Sequence, residues 1–272
     1  MNLLHIALRE IKIGFRNPWA YSFMALFALF SLSLLLINAQ RFVQGYSSTT
    51  SSMLNLILYL LPLMTLLLGS FSLTAEKEEG SWQLLSTYPL STFSFIVGKY
   101  VGLTAVLITI VTFGYGLTGV VGSLTGRGLD SRTFGMFLAF SFGLILLFLS
   151  IALVIGTIAK NRWQALTLGV AIWFFAIIGW PTLLIALLGL LPYVWIKPVL
   201  VALTFLNPAE LVRLFVVIKL GGGAALGPEY YQWVGWISKP SGSGLFLLVC
   251  ALWVTAAIGW ANLVWERGRS RG

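Results

Sequence analysis

Six mainly apolar stretches run through this 272-residue chain, at about 18–39, 53–75, 97–121, 133–159, 163–191 and 244–265. A helix needs about 20 such residues to cross the hydrocarbon core of a bilayer. Past their first few residues, none of the six carries an Asp, Glu, Lys or Arg. Composition points the same way: 9% of residues are charged and mean hydropathy is +0.94, whereas soluble domains carry about a quarter charged residues. The fold class expected is an all-α membrane protein with six transmembrane helices. The first stretch is too long, and too deep behind charged residues, for a cleaved signal peptide.

The net charge of +9 does not point to nucleic acid, because the basic residues flank the apolar spans and form no continuous stripe. Counted at the span ends, Arg9, Lys12, Arg16, Lys77, Lys99, Lys160, Arg162, Arg267, Arg269 and Arg271 fall on one side. The two short loops opposite hold only Arg41, Arg127 and Arg132. The bias of Lys and Arg toward the cytoplasm places both termini inside. A seventh span through 196–220 would put the C-terminal arginines outside, against that bias.

What the spans lack constrains the energy source. Ion-driven carriers place ionisable groups at mid-membrane depth, and these spans have none there. The phosphate-cradling pattern G-x-x-x-x-G-K-[ST] is absent; Gly98-Lys99 has no glycine five residues ahead of it. Cys250 and His5, the only cysteine and histidine, make a metal centre of their own improbable. No cofactor and no catalytic residue is expected on this chain, so any uphill work needs a partner.

Three segments stand outside the spans. In residues 1–16, His5, Arg9, Lys12 and Arg16 share one helical face by their spacing, with Leu4, Leu8, Ile11 and Phe15 beside them. This is an amphipathic helix whose Arg9, Lys12 and Arg16 face lipid headgroups. The loop 76–96 gathers Glu76, Glu78 and Glu79 before Gly80, then Trp82, Leu85, Tyr88 and Pro89. It reads equally as a docking knob for a partner or as a surface loop folded onto the headgroups. The stretch 192–243 is too charged for a simple span. Its Asn207-Pro208-Ala209-Glu210 reads as a helix start, with Asn207 as N-cap, Pro208 at the first position and Arg213 one turn on. Short external helices on either side of Asn207, with Trp233 and Trp236 at interface depth, complete this segment.

Taken together, these residues resemble a known family. The amphipathic start running into Arg16-Asn17-Pro18-Trp19 is similar to the elbow helix of ABC-2 type permeases. The loop from Glu76 to Pro89, with Thr87-Tyr88-Pro89-Leu90-Ser91 leading to Gly98-Lys99, resembles that family's coupling helix. Asn207, Pro208, Glu210 and Arg213 are similar to the segment before its last span. Within the family the resemblance narrows to the NosY-type permeases of the transporter that supports nitrous-oxide reductase maturation. It implies a single ABC-2 transmembrane domain over 1–272, with elbow helix 1–16, coupling loop 76–96 and external re-entrant segment 192–243. It further implies a homodimer, two copies of an ABC ATPase carrying ATP and Mg, an extracytoplasmic accessory protein and a role in copper-site maturation. Glu76, Glu78, Glu79, Gly80, Trp82, Leu85, Tyr88 and Pro89 would then contact the ATPase. The competing readings are an ABC-2 exporter of a drug, lipid or peptide, a non-transporting ATP-driven scaffold, and a self-contained channel or carrier.

Overall fold

The computed structural model describes residues 3–38, 46–80, 91–126 and 130–269. Among them every regular element is helical: α1 (Leu3–Arg16), α2 (Pro18–Asn38), α3 (Ser48–Glu78), α4 (Thr92–Leu124), α5 (Ser131–Ile158), α6 (Arg162–Leu190), α7 (Tyr193–Leu206), α8 (Pro208–Lys219), α9 (Tyr231–Ile237) and α10 (Pro240–Arg269), with short 3-10 turns between α8 and α9. Five of them, α3, α4, α5, α6 and α10, are long and apolar enough to cross a bilayer. The 21 residues of α2 extend about 31 Å at 1.5 Å per residue, the thickness of a hydrocarbon core. The all-helical, multi-span fold class expected from the sequence is therefore present.

Helices α3, α4 and α5 form the centre, with Leu61, Leu66, Phe140, Leu144, Phe148 and Leu149 buried between them. Small residues set their spacing. A Cβ on Gly69 would lie 2.6 Å from that of Ala152, and one on Gly156 would lie 2.8 Å from Leu73 Cβ, so α3 and α5 meet nearly backbone to backbone. One stripe of α4, at every fourth residue, faces α1 and then α2. Gly98 meets Ile6, Gly102 meets Ala7 and Glu10, Val106 meets Gly14, Gly114 meets Phe27, and Thr118 donates to Ser31. The Gly98/Gly102 pair thus serves packing within the subunit, while Gly116 has open space around it. Helices α6 and α10 lie at the periphery and turn Trp163, Ile185, Leu190, Leu248, Leu252 and Trp260 outward.

Helices α7 and α8 are bent by 107° to one another, which excludes a straight seventh span through 196–220. The sequence dictates the corner. Pro208 disfavours helical geometry at the residue before it, and Asn207 is accordingly extended at φ −108°, ψ 111°. The Asn207 side chain accepts from Ala209 N at 2.9 Å as the N-cap of α8, as its sequence predicts. Its amide also donates to Ala176 O at 2.7 Å. Ala176 lies in a five-residue π turn of α6, Phe175–Gly179, where the widened helix offers a carbonyl outside the regular ladder. Arg213 grips Glu210 through two bonds of 3.0 and 2.6 Å. Trp233 is buried with Leu200, Ile218 and Ile237, because α9 folds back over α7 and α8.

Candidate functional site

At the end of the bundle where α1 lies, the last turn of α3 is the meeting point of the structure. Four successive residues, Glu76 to Glu79, fan out around that helix end to three sets of neighbours, as steps of about 100° per residue allow. Glu76 reaches α4 and α1: its Oε1 lies 3.1 Å from Lys99 Nζ and 3.1 Å from Arg9 Nη1. Lys77 donates from Nζ to the carbonyls of Gly156, Thr157 and Ala159 at 2.9, 2.7 and 2.8 Å. These belong to the end of α5, where the helix leaves its last carbonyls unpaired and favours a cation. The same ammonium sits 5.1 Å from the ring centre of Trp265 on α10. Glu78 accepts from Arg162 N at 2.7 Å and pairs with Arg162 Nε at 3.0 Å, at the start of α6. Glu79 also faces Arg162, at 3.5 Å.

Beneath Glu76 lies a buried ionic cluster. Lys99 Nζ is 2.7 Å from Glu10 Oε1, and the two side chains are 1% and 2% exposed. Ser72 bridges them: its hydroxyl accepts from Lys99 at 2.8 Å and donates to Glu10 Oε2 at 3.0 Å. The Ser72 carbonyl takes a further Lys99 bond at 3.3 Å. The ammonium is thus surrounded by acceptors, the condition under which a charge persists in a low-dielectric interior. Glu76 Oε2, by contrast, is buried with no hydrogen-bond partner among the described residues.

Some expected site residues therefore stand elsewhere than on a contact surface. Glu76 is inside the cluster, because an unpaired Lys99 at this depth would be far costlier than a paired one. Arg9, assigned to lipid headgroups, turns to Glu76; Lys12 and Arg16 remain exposed. On α1 the residues facing α4 are Ile6, Ala7 and Glu10, while Leu4 and Leu8 of the apolar face point outward. Gly80 ends α3 at φ +67°. Trp82, Leu85, Tyr88 and Pro89 lie outside the described residues.

Sequence reasoning passed over Glu10, Ser72 and Lys99. The signal was present: Lys99 sits between Gly98 and Gly102, where the closest packing occurs. With only eight Asp and Glu in the chain, Glu10 and the 76–79 run were nearly the only partners available. Glu10 also continues the stripe that Ile6 begins and Gly14 extends, at spacings of four.

The sequence profile of the ABC-2 family transporter proteins matches residues 4–264. The chain belongs to the ABC-2 family of transporter proteins. Two relatives bear the name "Probable ABC transporter permease protein NosY". The one from Stutzerimonas stutzeri is 31% identical over 82% of this chain and 84% of its own length. The one from Pseudomonas aeruginosa is 29% identical over 96% and 97%. The match to the ABC-2 family spans α1, the ionic cluster and the bent α7–α8 pair alike, so these are parts of one multi-pass membrane permease.

Proposed function

We propose that this ABC-2 permease is the non-catalytic membrane subunit of an ATP-driven exporter in the cytoplasmic membrane. It works as a homodimer over two copies of a separate ATPase that binds ATP and Mg, with both termini cytoplasmic. Residues 76–96 are the coupling element, and Trp82, Leu85, Tyr88 and Pro89 are its ATPase contacts. The observation that carries this reading is the fan of ties from residues 76–79. The turn that enters the loop is bonded to α1, α4, α5 and α6 and stacked on α10. A push on the loop is thereby delivered to all of these helices at once. Lys12 and Arg16 lie toward the headgroups, and the outward apolar faces of α6 and α10 suit contact with lipid or with a second copy.

The similarity to two NosY permeases supports a role in nitrous-oxide reductase copper-site maturation, with an extracytoplasmic accessory protein meeting the segment 192–243. Asn207, Pro208, Glu210 and Arg213 shape that segment. In this reading any copper chemistry falls to partners, since the chain has a single Cys and a single His. The alternative is export of a drug, lipid or peptide by the same machinery.

The test is co-expression of the tagged chain with its neighbouring genes and purification in mild detergent. An ATPase in equal amount is expected, with its hydrolysis stimulated in the complex. Replacing Trp82, Leu85 and Tyr88 together by Ala should abolish stimulation while expression persists. Undiminished stimulation in that variant would refute the coupling assignment. Co-elution of a periplasmic protein favours the Nos role; its absence, with transport of an amphipath, favours the alternative.

A further inference from the structure

A crevice of about 900 Å³ opens beside the ionic cluster, between α1, the start of α2, α3, α4 and the start of α6. Its walls are apolar, with Leu68, Phe71, Leu103, Leu107 and Leu166 among them. Trp19 and Trp163 stand at the first turns of α2 and α6, the level at which aromatic side chains mark the membrane–water boundary. One end is polar, and holds one buried acceptor and one exposed cation that have no protein partner among the described residues. Glu76 Oε2 is buried without a partner, on a side chain 7% exposed. Arg16 lines the crevice and pairs with no acidic residue among those described. Among the described residues the cavity thus sets a buried acceptor without a donor and a cation without a carboxylate at one end of an apolar channel.

The charges select the occupant. The crevice is lined by four carboxylates, Glu10, Glu76, Glu78 and Glu79, and four cations, Arg9, Arg16, Lys99 and Arg162. A balanced set disfavours a net anionic or net cationic guest and suits a zwitterion. Lys99 already sits 3.1 Å from the other oxygen of Glu76, so a divalent ion on this carboxylate would meet twice the like-charge repulsion of a monovalent ammonium. A compact ammonium can approach by hydrogen bonding, whereas a quaternary ammonium has no proton to give. The apolar walls need hydrocarbon, and the site sits where lipid headgroups lie.

We propose that this crevice is a binding site for one phospholipid with an ethanolamine head. Its ammonium donates to Glu76 Oε2, its phosphate meets Arg16, and its acyl chains run along Leu68, Leu103 and Leu166. The lipid completes the one unpaired acceptor of the cluster and wedges the elbow helix against α3. This site does not rest on the coupling reading, and it stands or falls apart from it.

The test is lipid retention by the purified full-length protein, read by native mass spectrometry after titration with phosphatidylethanolamine, phosphatidylcholine or phosphatidylglycerol. The ethanolamine lipid should be retained about tenfold better than the choline lipid, the equivalent of one charge-assisted hydrogen bond. Arg16→Ala should weaken retention by a similar factor. Glu76→Gln also disturbs the Lys99 pair, so Ala75→Trp, which fills the crevice wall without removing a charge, serves as the second variant. It should abolish specific retention at unchanged thermal stability. Equal retention of ethanolamine and choline lipids, preference for phosphatidylglycerol, or wild-type retention in Arg16→Ala or Ala75→Trp would each overturn the proposal.

Discussion

Lys99 Nζ lies 2.7 Å from Glu10 Oε1, joining residues 89 apart in sequence inside a bundle that is otherwise almost free of buried charge. The pair fixes α1 to the base of α4 in one register. Packing alone would tolerate neighbouring registers, because Ile6 and Ala7 are apolar and interchangeable against a glycine stripe. A buried ion pair used to specify arrangement more than to add stability is consistent with the near balance of Coulomb gain and desolvation.

Removing one partner should therefore be costly. Lys99→Met leaves Glu10 and Glu76 buried and under-compensated, and should lower stability by about 3–5 kcal/mol. The double variant Glu10→Gln with Lys99→Met should recover a large part of that loss. Thermal unfolding in detergent of the two singles and the double checks it; simple additivity would show that the groups do not interact.

The elbow docking depends on close approach. A side chain at Gly102 would meet Glu10 Cβ at 2.6 Å and the Ala7 carbonyl at 2.7 Å, so Gly102→Leu should lift α1 off α4. In a Cys250→Ser background, Ile6→Cys is buried and should react slowly with a maleimide. Adding Gly102→Leu should speed its labelling severalfold while the spans stay inserted.

Two cations at the α3 end should differ in weight. Lys77→Met strands three carbonyls at the end of α5 and should cost about 1–3 kcal/mol. Arg162→Ala removes pairs whose side chains are 49% and 34% exposed, and should cost less than about 1 kcal/mol. Urea or thermal titration of the two variants side by side decides the order.

Asn207 both accepts from Ala209 N and donates to Ala176 O. Asn207→Asp keeps the cap but loses the donor and sets an anion against a carbonyl. It should be no rescue relative to Asn207→Ala, which loses the cap at about 1 kcal/mol and leaves Ala176 O unpaired. Limited proteolysis near 207, compared across the two variants, reads the loosening of the corner.

The long apolar runs were legible because span length is a one-dimensional property, and the Asn207-Pro208 corner because its cap and its proline are local. The ionic cluster was not, since its members come from α1, α3 and α4, and no local spacing links Glu10 to Ser72 or Lys99. Arg9 was misplaced for the same reason: its helical face was clear, but the carboxylate opposite it sits 67 residues away. The burial of Trp233 was out of reach as well, because α9 folds onto the bent pair, a tertiary event its own sequence does not encode.

The four ties of residues 76–79 also say where this molecule can bend. Turning the α3 end about its own axis would break all four together, so the region behaves as one stiff plate. Relative motion between the plate and the opposite half must be absorbed where the helical ladders are already interrupted. Two such places flank one interhelical bond: Pro62 in α3, in the turn where Trp173 donates to Tyr59 O at 2.8 Å, and the π turn of α6 that begins two residues beyond Trp173. Any seam between the tied base and the opposite half therefore runs past that hydrogen bond.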